Sequence, residues 1–300
     1  MGSSIQQCLK RKLITPPSWL GSNLQYEVIM GSNAYGVANE DSSDFDIYGV
    51  AIPPKSIIFP HTAGYIHDFD EAPKFDQWQQ HHIVDDSFKT PKEFDFAVYN
   101  IVRYFRLLSD NNPNIVDSLF VPERCIKHIT LVGQLIRDNR KIFLSKRAWP
   151  KFRGYAASQF HKIDIKEPEG KRRELVDKFG YDTKYAYHII RLLDEAEQIL
   201  LTGDLSLDKN NEELKAIRRG DWTLEKLKSE FEARKLSVEK IYASSTLQNE
   251  PDAVKVKQLL IQCLEMHYGS IGNDCLARND LPIQVLQAIT KEIDKIRGII

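Results

Sequence analysis

Cysteine is scarce and scattered in this 300-residue sequence. The four cysteines, Cys8, Cys125, Cys263 and Cys275, form no C-x-x-C pair, which argues against both a zinc ribbon and a disulfide framework. A chain without such a framework fits a reducing compartment. We therefore expect a cytoplasmic protein.

Long apolar runs are also missing. No run approaches the roughly 20 residues that are needed to cross a bilayer. Residues 1–13 contain Cys8 and basic side chains but no apolar segment of the kind that a secretory signal requires. The sequence therefore predicts neither export nor a membrane partner.

An excess of charge of either sign is absent as well. The formal net charge is −1, with 42% hydrophobic and 28% charged residues, which is the composition of a globular chain with a buried core. Such a chain can bind nucleic acid only through a local basic patch. Residues 137–153 and Lys171-Arg172-Arg173 are two basic stretches that predict either contact with an RNA backbone or ordinary helix surface.

The character of the sequence changes after about residue 100. Before it, short apolar runs between Gly, Pro, Asn and Asp predict strands at Tyr26–Met30, Asp44–Ile52 and Glu93–Val98. After it, helical spacing dominates. We predict an α+β fold with a small mixed-sheet domain at residues 1–120 and a mostly helical, substrate-binding domain at residues 121–300.

The predicted helices and the longest predicted loop complete this outline. The polar, aromatic stretch from Thr62 to Thr90 shows no regular pattern, and loops of that length are usually functional. Helices are predicted near residues 99–108, 122–143, 148–163, 184–201, 224–235, 253–268 and 282–297.

Two acidic residues on one predicted strand form the most informative pattern. Asp44 and Asp46 are two positions apart, so they project from the same face of the strand, whereas Phe45 and Ile47 point into a core. Two convergent carboxylates on a rigid strand can hold a hard divalent cation. We therefore predict that Asp44 and Asp46 bind a metal ion.

A glycine and a serine follow the first predicted strand. Gly31 permits a tight turn and close backbone approach, and the backbone N–H groups with the Ser32 hydroxyl can then hold a phosphate. A phosphate site beside paired carboxylates is what metal-assisted phosphoryl or nucleotidyl transfer requires.

A second metal position would need a carboxylate from a neighbouring strand. Phe94 and Phe96 are expected to face the core, which leaves Asp95 on the open face. Asp95 is the predicted third ligand, and Glu93 is the alternative if the register differs.

The order of these residues resembles a known signature. Gly31-Ser32-x-Ala34-Tyr35-Gly36, followed by Ser43-Asp44-x-Asp46 and Gly49-Val50, is similar to the DNA polymerase β superfamily of nucleotidyltransferases. It most resembles the RNA-ligase-associated (RlaP-like) nucleotidyltransferases. Segments around Asn111–Asn114, Phe152–Ala156 and Gly180–Leu193 are similar to the later part of that family.

This resemblance implies a nucleotidyltransferase core, an NTP such as ATP as substrate, and Mg²⁺ or Mn²⁺ held by Asp44, Asp46 and Asp95. It implies transfer of a nucleoside monophosphate to an acceptor, with an RNA end as the candidate, and association with an RNA ligase. Two alternatives stay open: an enzyme that transfers AMP to a protein, and a catalytically inactive nucleotide-binding scaffold for an RNA ligase. The NTP, the acceptor and the oligomeric state are not predicted.

A row of basic residues lies on one predicted helix. Lys184, His188 and Arg191 are four and three positions apart, so they share a face. The row predicts either contact with the phosphates of the NTP or acceptor or a solvated cationic surface.

Three weaker candidates remain. Tyr35 is expected either to stack on the nucleotide or to pack beside the turn. Ser43 is expected either to bind phosphate or, preferably, to shape the start of the strand. His81 and His82 are adjacent and point in different directions on most backbones, so they do not predict a shared metal ion.

Overall fold

A computed structural model describes residues 2–38, 44–65, 71–165 and 169–269. Its centre is a five-stranded mixed sheet in the order β3-β4-β2-β1-β5, and helices flank it and follow it. This arrangement confirms the predicted α+β class. The strands are β1 Leu24–Ile29, β2 Asp44–Ala51, β3 Gln77–Asp85, β4 Lys92–Asn100 and β5 Ile126–Ile129.

The central strands alternate between a core face and an open face. Ile47 on β2 and Phe96 on β4 are fully buried, while Asp44 and Asp46 are exposed. Strands β2 and β4 run parallel, whereas the other pairs are antiparallel. Because side chains repeat every two residues, this pairing collects the acidic positions of two strands on one face.

Helices make up most of the chain after the sheet. Helix α8 begins after Asp182, whose side chain accepts hydrogen bonds from the backbone N–H groups of Lys184 and Tyr185 at 2.8 and 3.1 Å, as expected of an N-cap. It ends at Gly203 in a left-handed conformation. The helices are α1 Ser4–Lys10, α2 Lys55–Ile58, α3 Ile101–Ser109, α4 Pro113–Phe120, α5 Leu131–Asp138, α6 Ala148–Ile165, α7 Lys171–Phe179, α8 Thr183–Thr202, α9 Asn211–Arg219, α10 Leu224–Ser244 and α11 Ala253–Tyr268.

Two strands lie where the sequence predicted other structure. Strand β3 occupies part of the predicted loop at residues 62–90 and pairs only with β4 at the edge of the sheet, which explains its polar composition. Strand β5 lies inside the predicted helix at residues 122–143 and pairs with β1. Residues 282–297, predicted as a helix, lie outside the described residues.

The helix prediction also missed α1, α2, α4, α7 and α9, which have 4 to 9 residues each. The proposed division near residue 120 stays a prediction, and β5 belongs to the same sheet as the earlier strands. Within the part of the chain that the structure describes, every helix is too short or too polar to cross a membrane.

Candidate active site

The turn after β1 touches the carboxylate of Asp46. The Met30 N–H donates to the backbone oxygen of Asp46 at 2.7 Å. Gly31 follows with φ of +63°, and a Cβ built there would collide with Asp46 Oδ2. The turn then closes through the Val37 N–H, which donates to the Ser32 carbonyl at 2.9 Å. Glycine is therefore required at position 31 both for conformation and for space.

The acidic residues of β2 and β4 are paired side by side. The parallel register places Asp46 beside Asp95 and Asp44 beside Glu93. Asp46 is exposed by surface area, but the surrounding atoms of the site remove part of its hydration. This desolvation raises the pKa of Asp46, and the negative charges of Asp95 and Asp44 raise it further. Lys184 and His81 act in the opposite direction. The like charges of three carboxylates on one face therefore favour a cation between them.

Two histidines from β3 reach the carboxylates of β4. The β3–β4 register shifts between Gln80 and Ile83, and His82 in that bulge has φ of +56°. Its backbone N–H donates to Asp95 Oδ1 at 2.8 Å, and its Nδ1 lies 2.6 Å from Glu93 Oε1. His81 Nδ1 lies 3.5 Å from Asp95 Oδ1.

The two imidazoles contact different carboxylates, that of His81 the Asp95 side chain and that of His82 the Glu93 side chain. Within the described residues, no three His, Cys, Asp or Glu side chains stand as a ready-made metal site. Asp46, Asp44 and Asp95 supply the oxygen donors that Mg²⁺ prefers. Their oxygen-donor chemistry and their mutual repulsion fit that ion.

A cavity of about 260 Å³ opens beside Asp46. Five predicted site residues line it, namely Gly31, Tyr35, Asp46, His188 and Arg191. Asp44, Asp95, Ser32 and Lys184 are not among its lining residues. Asp95 pairs with Asp46 in the register of β2 and β4, and Ser32 follows Gly31 in the turn. Ser43 lies outside the described residues.

The three residues of the predicted basic row on α8 lie in different environments. Lys184 is exposed, His188 is partly buried, and Arg191 is buried. Burial lowers the pKa of His188 well below its usual value, and the charges of Arg191 and Lys184 lower it further. At neutral pH the row therefore holds two cations and a neutral imidazole, which can donate or accept a hydrogen bond.

Arg191 is held inside the protein rather than on a solvated surface. It donates to Asp117 Oδ2 and to the Glu195 carboxylate at 3.0 and 3.1 Å. Burial opposes its charge, but Glu195, Tyr35 and Asp117 outweigh burial and raise its pKa. Among the described residues, Arg191 Nε has no hydrogen-bond partner. The solvated alternative is thus wrong for Arg191.

Sequence reasoning assigned no role to several residues of the cavity wall. Asn114, Tyr155 and Arg172 lie in segments noted for their resemblance or their charge, so those segments carried a usable signal. Asn112 Nδ2 donates to the Tyr155 hydroxyl at 2.9 Å and holds it in place. The remaining unpredicted lining residues are Met30, Tyr48, Gln159 and Leu192.

Arginines of the basic stretch at residues 137–153 make contacts within the protein. Arg137 donates to the Tyr26 hydroxyl and to the carbonyl of Val121 at 3.0 and 2.6 Å. Arg147 and Arg153 pair with acidic side chains. Arg172 of the other stretch instead lines the cavity, where it pairs with Asp182 at 2.8 Å.

The chain is similar to proteins that have already been classified. It matches the RlaP family, described as an RNA repair pathway DNA polymerase beta family, over residues 5–245. This match confirms the resemblance drawn from the Gly31-Ser32 and Asp44-x-Asp46 motifs. The crystal structure of a nucleotidyltransferase-like protein from Exiguobacterium sibiricum 255-15 has 9% sequence identity and a TM-score of 0.29, over 89% of this chain and 80% of that one. No curated protein matches the sequence.

Proposed function

We propose the following function for this chain, which belongs to the RNA repair pathway DNA polymerase beta family. It transfers a nucleoside monophosphate from an NTP to a hydroxyl group at an RNA end, releases pyrophosphate and requires Mg²⁺. The observation that carries the proposal is the register of β2 and β4, which sets Asp46 beside Asp95 while Gly31 packs against Asp46.

The carboxylates of Asp44, Asp46 and Asp95 would hold the magnesium. Bound Mg²⁺ supplies charge that neutralises the triphosphate and stabilises the attacking and leaving oxygens. Magnesium accepts oxygen ligands and keeps several waters, so a set of three carboxylates on two adjacent strands suits it.

The remaining residues orient the nucleotide. Backbone N–H groups of the Gly31-Ser32 turn are suited to the β- and γ-phosphates. Arg172, which lines the cavity, and Lys184, whose charge reaches Asp46, offset the negative charge of the phosphates. The neutral imidazole of His188 provides a hydrogen bond without adding charge.

The reaction itself is an in-line displacement. The acceptor oxygen forms a bond to the α-phosphorus, and the bond from that phosphorus to the bridging oxygen breaks. Pyrophosphate leaves with the electron pair, and Asp95 takes the proton of the acceptor hydroxyl. Catalysis then depends mainly on positioning and charge, as in other phosphoryl transfers.

Label transfer tests this proposal. Each of the four NTPs, labelled at the α-phosphate, is incubated with Mg²⁺ or Mn²⁺ and with either total RNA or total protein. We expect label on RNA, reduced at least about a hundredfold in the double variant Asp44→Asn/Asp46→Asn, with Asp138→Asn at an exposed site as control. Retained transfer in the double variant would contradict the mechanism.

Two outcomes would favour the alternative functions. Label on protein alone would indicate an AMP-transferring enzyme. NTP binding without pyrophosphate release, for every acceptor, would indicate an inactive scaffold that partners an RNA ligase.

A further inference from the structure

A second, larger cleft lies beside the candidate active site. Its volume is about 710 Å³, and α7, α8 and α9 supply most of its walls, together with Val37 and Ala38 after the Gly31 turn. Five basic residues line it against one acidic residue, Asp221. They are Lys178, Lys184, Lys215, Arg218 and Arg219.

The positive charge of this cleft is only partly offset. Arg219 pairs with Asp221 at 3.0 Å, and Lys215 pairs with the exposed Glu212 at 2.7 Å, but exposed pairs of this kind are weak. Arg218 contacts neutral groups, since it donates to the Val37 carbonyl and lies 5.4 Å from the centre of the Tyr187 ring. The cleft is therefore a local basic patch on a chain whose net charge is −1.

An aromatic ring lies among these cations. Phe179 is partly exposed in the cleft, and the Lys178 ammonium lies 4.9 Å from its ring centre. Gly220, with φ of +83°, packs against the ring so closely that a Cβ there would collide with it. Basic side chains that follow a phosphate backbone, combined with an aromatic ring on which a base can stack, are the features of single-strand binding sites.

Lys184 connects the cleft to the carboxylates. It lines the cleft, and its charge acts on both Asp46 and His188. A strand in the cleft would thus have its end near Asp46. We propose that the cleft binds the single-stranded segment of the acceptor RNA next to the reacting end, with backbone phosphates on Lys178 and Lys215 and a base on Phe179. This inference rests on the proposed function.

Binding of a fluorescein-labelled, 12-nucleotide single-stranded RNA without NTP, followed by anisotropy across a salt series, tests the cleft directly. In Lys178→Gln/Lys215→Gln we expect affinity to fall about tenfold and the slope of log K against log salt to shrink by about 1.4, or about 0.7 for each lost phosphate contact. In Phe179→Leu, affinity should fall with an unchanged slope, because stacking releases no counterions.

Lys235→Gln is the matched control. Lys235 pairs with Glu232 three residues earlier at 2.8 Å, just as Lys215 pairs with Glu212, but it lies on α10 away from the cleft walls. We expect it to bind RNA as the unmodified protein does. Equal loss in this control, or unchanged binding in the cleft variants, would overturn the proposal.

Competition experiments show whether the cleft prefers single-stranded RNA to other anions. Tripolyphosphate that displaces the RNA at equal charge concentration would show a general anion site and contradict the proposal. A DNA strand of the same sequence that binds equally tightly would contradict the assignment to RNA. Unlabelled RNA that competes while both others do so poorly would support it.

Measuring label transfer and NTP binding alongside RNA binding separates the two proposals. If RNA binding does not depend on the cleft while label transfer still requires Asp44 and Asp46, the cleft proposal is wrong and the function stands. If RNA binding depends on the cleft but the unmodified protein binds no NTP, the catalytic proposal fails and the cleft remains an RNA site.

Discussion

The guanidinium carbon of Arg191 lies 4.1 Å from the centre of the Tyr35 ring, and both side chains donate to the same oxygen, Asp117 Oδ2. The three residues belong to α8, to the turn after β1 and to α4. Their contacts are buried and charge-assisted, so they fix the turn that carries Gly31 against the helical part of the chain.

Removing Arg191 should therefore destabilise the protein strongly. Arg191→Ala leaves Asp117 and Glu195 buried without their counter-charge, which typically costs about 3–5 kcal/mol. Arg147→Ala, which breaks more exposed pairs to Asp110 and Glu250, should cost no more than about 1 kcal/mol. Urea unfolding of both variants measures the difference, and similar small losses would show that the buried cluster contributes little to stability.

Alanine substitutions at Gly31 and Gly64 allow the effect of a left-handed backbone to be measured separately from the effect of a close side-chain contact. Gly31 and Gly64 both have positive φ, but only Gly31 lies against a side chain, that of Asp46. Alanine at either position should cost about 1–2 kcal/mol in unfolding free energy from the left-handed conformation. Gly31→Ala should in addition reduce label transfer at least about tenfold, since it displaces the Asp46 carboxylate. Comparable activity in the two variants would contradict the role assigned to the turn.

The carboxylate face was predictable because it depends on local rules. A period of two places Asp44 and Asp46 opposite Ile47, and the same rule places Asp95 opposite Phe96. The pairing of β2 with β4 depends on contacts between residues about fifty positions apart, which no local pattern specifies. The sequence therefore predicted which faces of the strands these side chains occupy, while the register between the strands required the structure.

The edge strand β3 and the contacts of its histidines were harder to predict from the sequence. Strand β3 has one neighbour, so it needs few apolar residues, and its polar stretch at residues 79–82 shows no alternation. The contacts of His82 with Asp95 and Glu93 follow from a bulge with positive φ, and such irregularities redirect side chains in ways that periodicity does not predict.

Glu27 should make the stability of the fold depend on pH. It is fully buried on β1, where the Ser3 hydroxyl and the Ser4 N–H donate to its carboxylate. Burial raises the pKa of Glu27, although these hydrogen bonds partly oppose the change. The folded state thus holds this proton more tightly than the unfolded state.

The sign of the effect follows from that difference. The contribution of Glu27 to the unfolding free energy is greatest below the usual glutamate pKa and is lost as the pH rises through the raised value. Glu27→Gln carries no such proton. The unfolding free energy of this variant should therefore increase relative to that of the unmodified protein as the pH rises from the usual glutamate pKa of about 4. Chemical unfolding over a series of pH values measures the difference, and parallel curves would contradict the raised pKa.

Neighbouring arginines on α7 provide the sharpest test of the nucleotide site. Arg172 lines the cavity, with its guanidinium carbon 4.0 Å from the centre of the Tyr185 ring and its charge paired with Asp182. Arg173 is exposed next to it. Because Arg172 is held in one orientation towards the cavity, Arg172→Ala should raise the KM for the NTP about tenfold, or about 1.4 kcal/mol, whereas Arg173→Ala should leave KM unchanged. Steady-state kinetics with saturating RNA measures both. An equal effect of the two substitutions would indicate that general positive charge on α7, and not contact in the cavity, attracts the nucleotide.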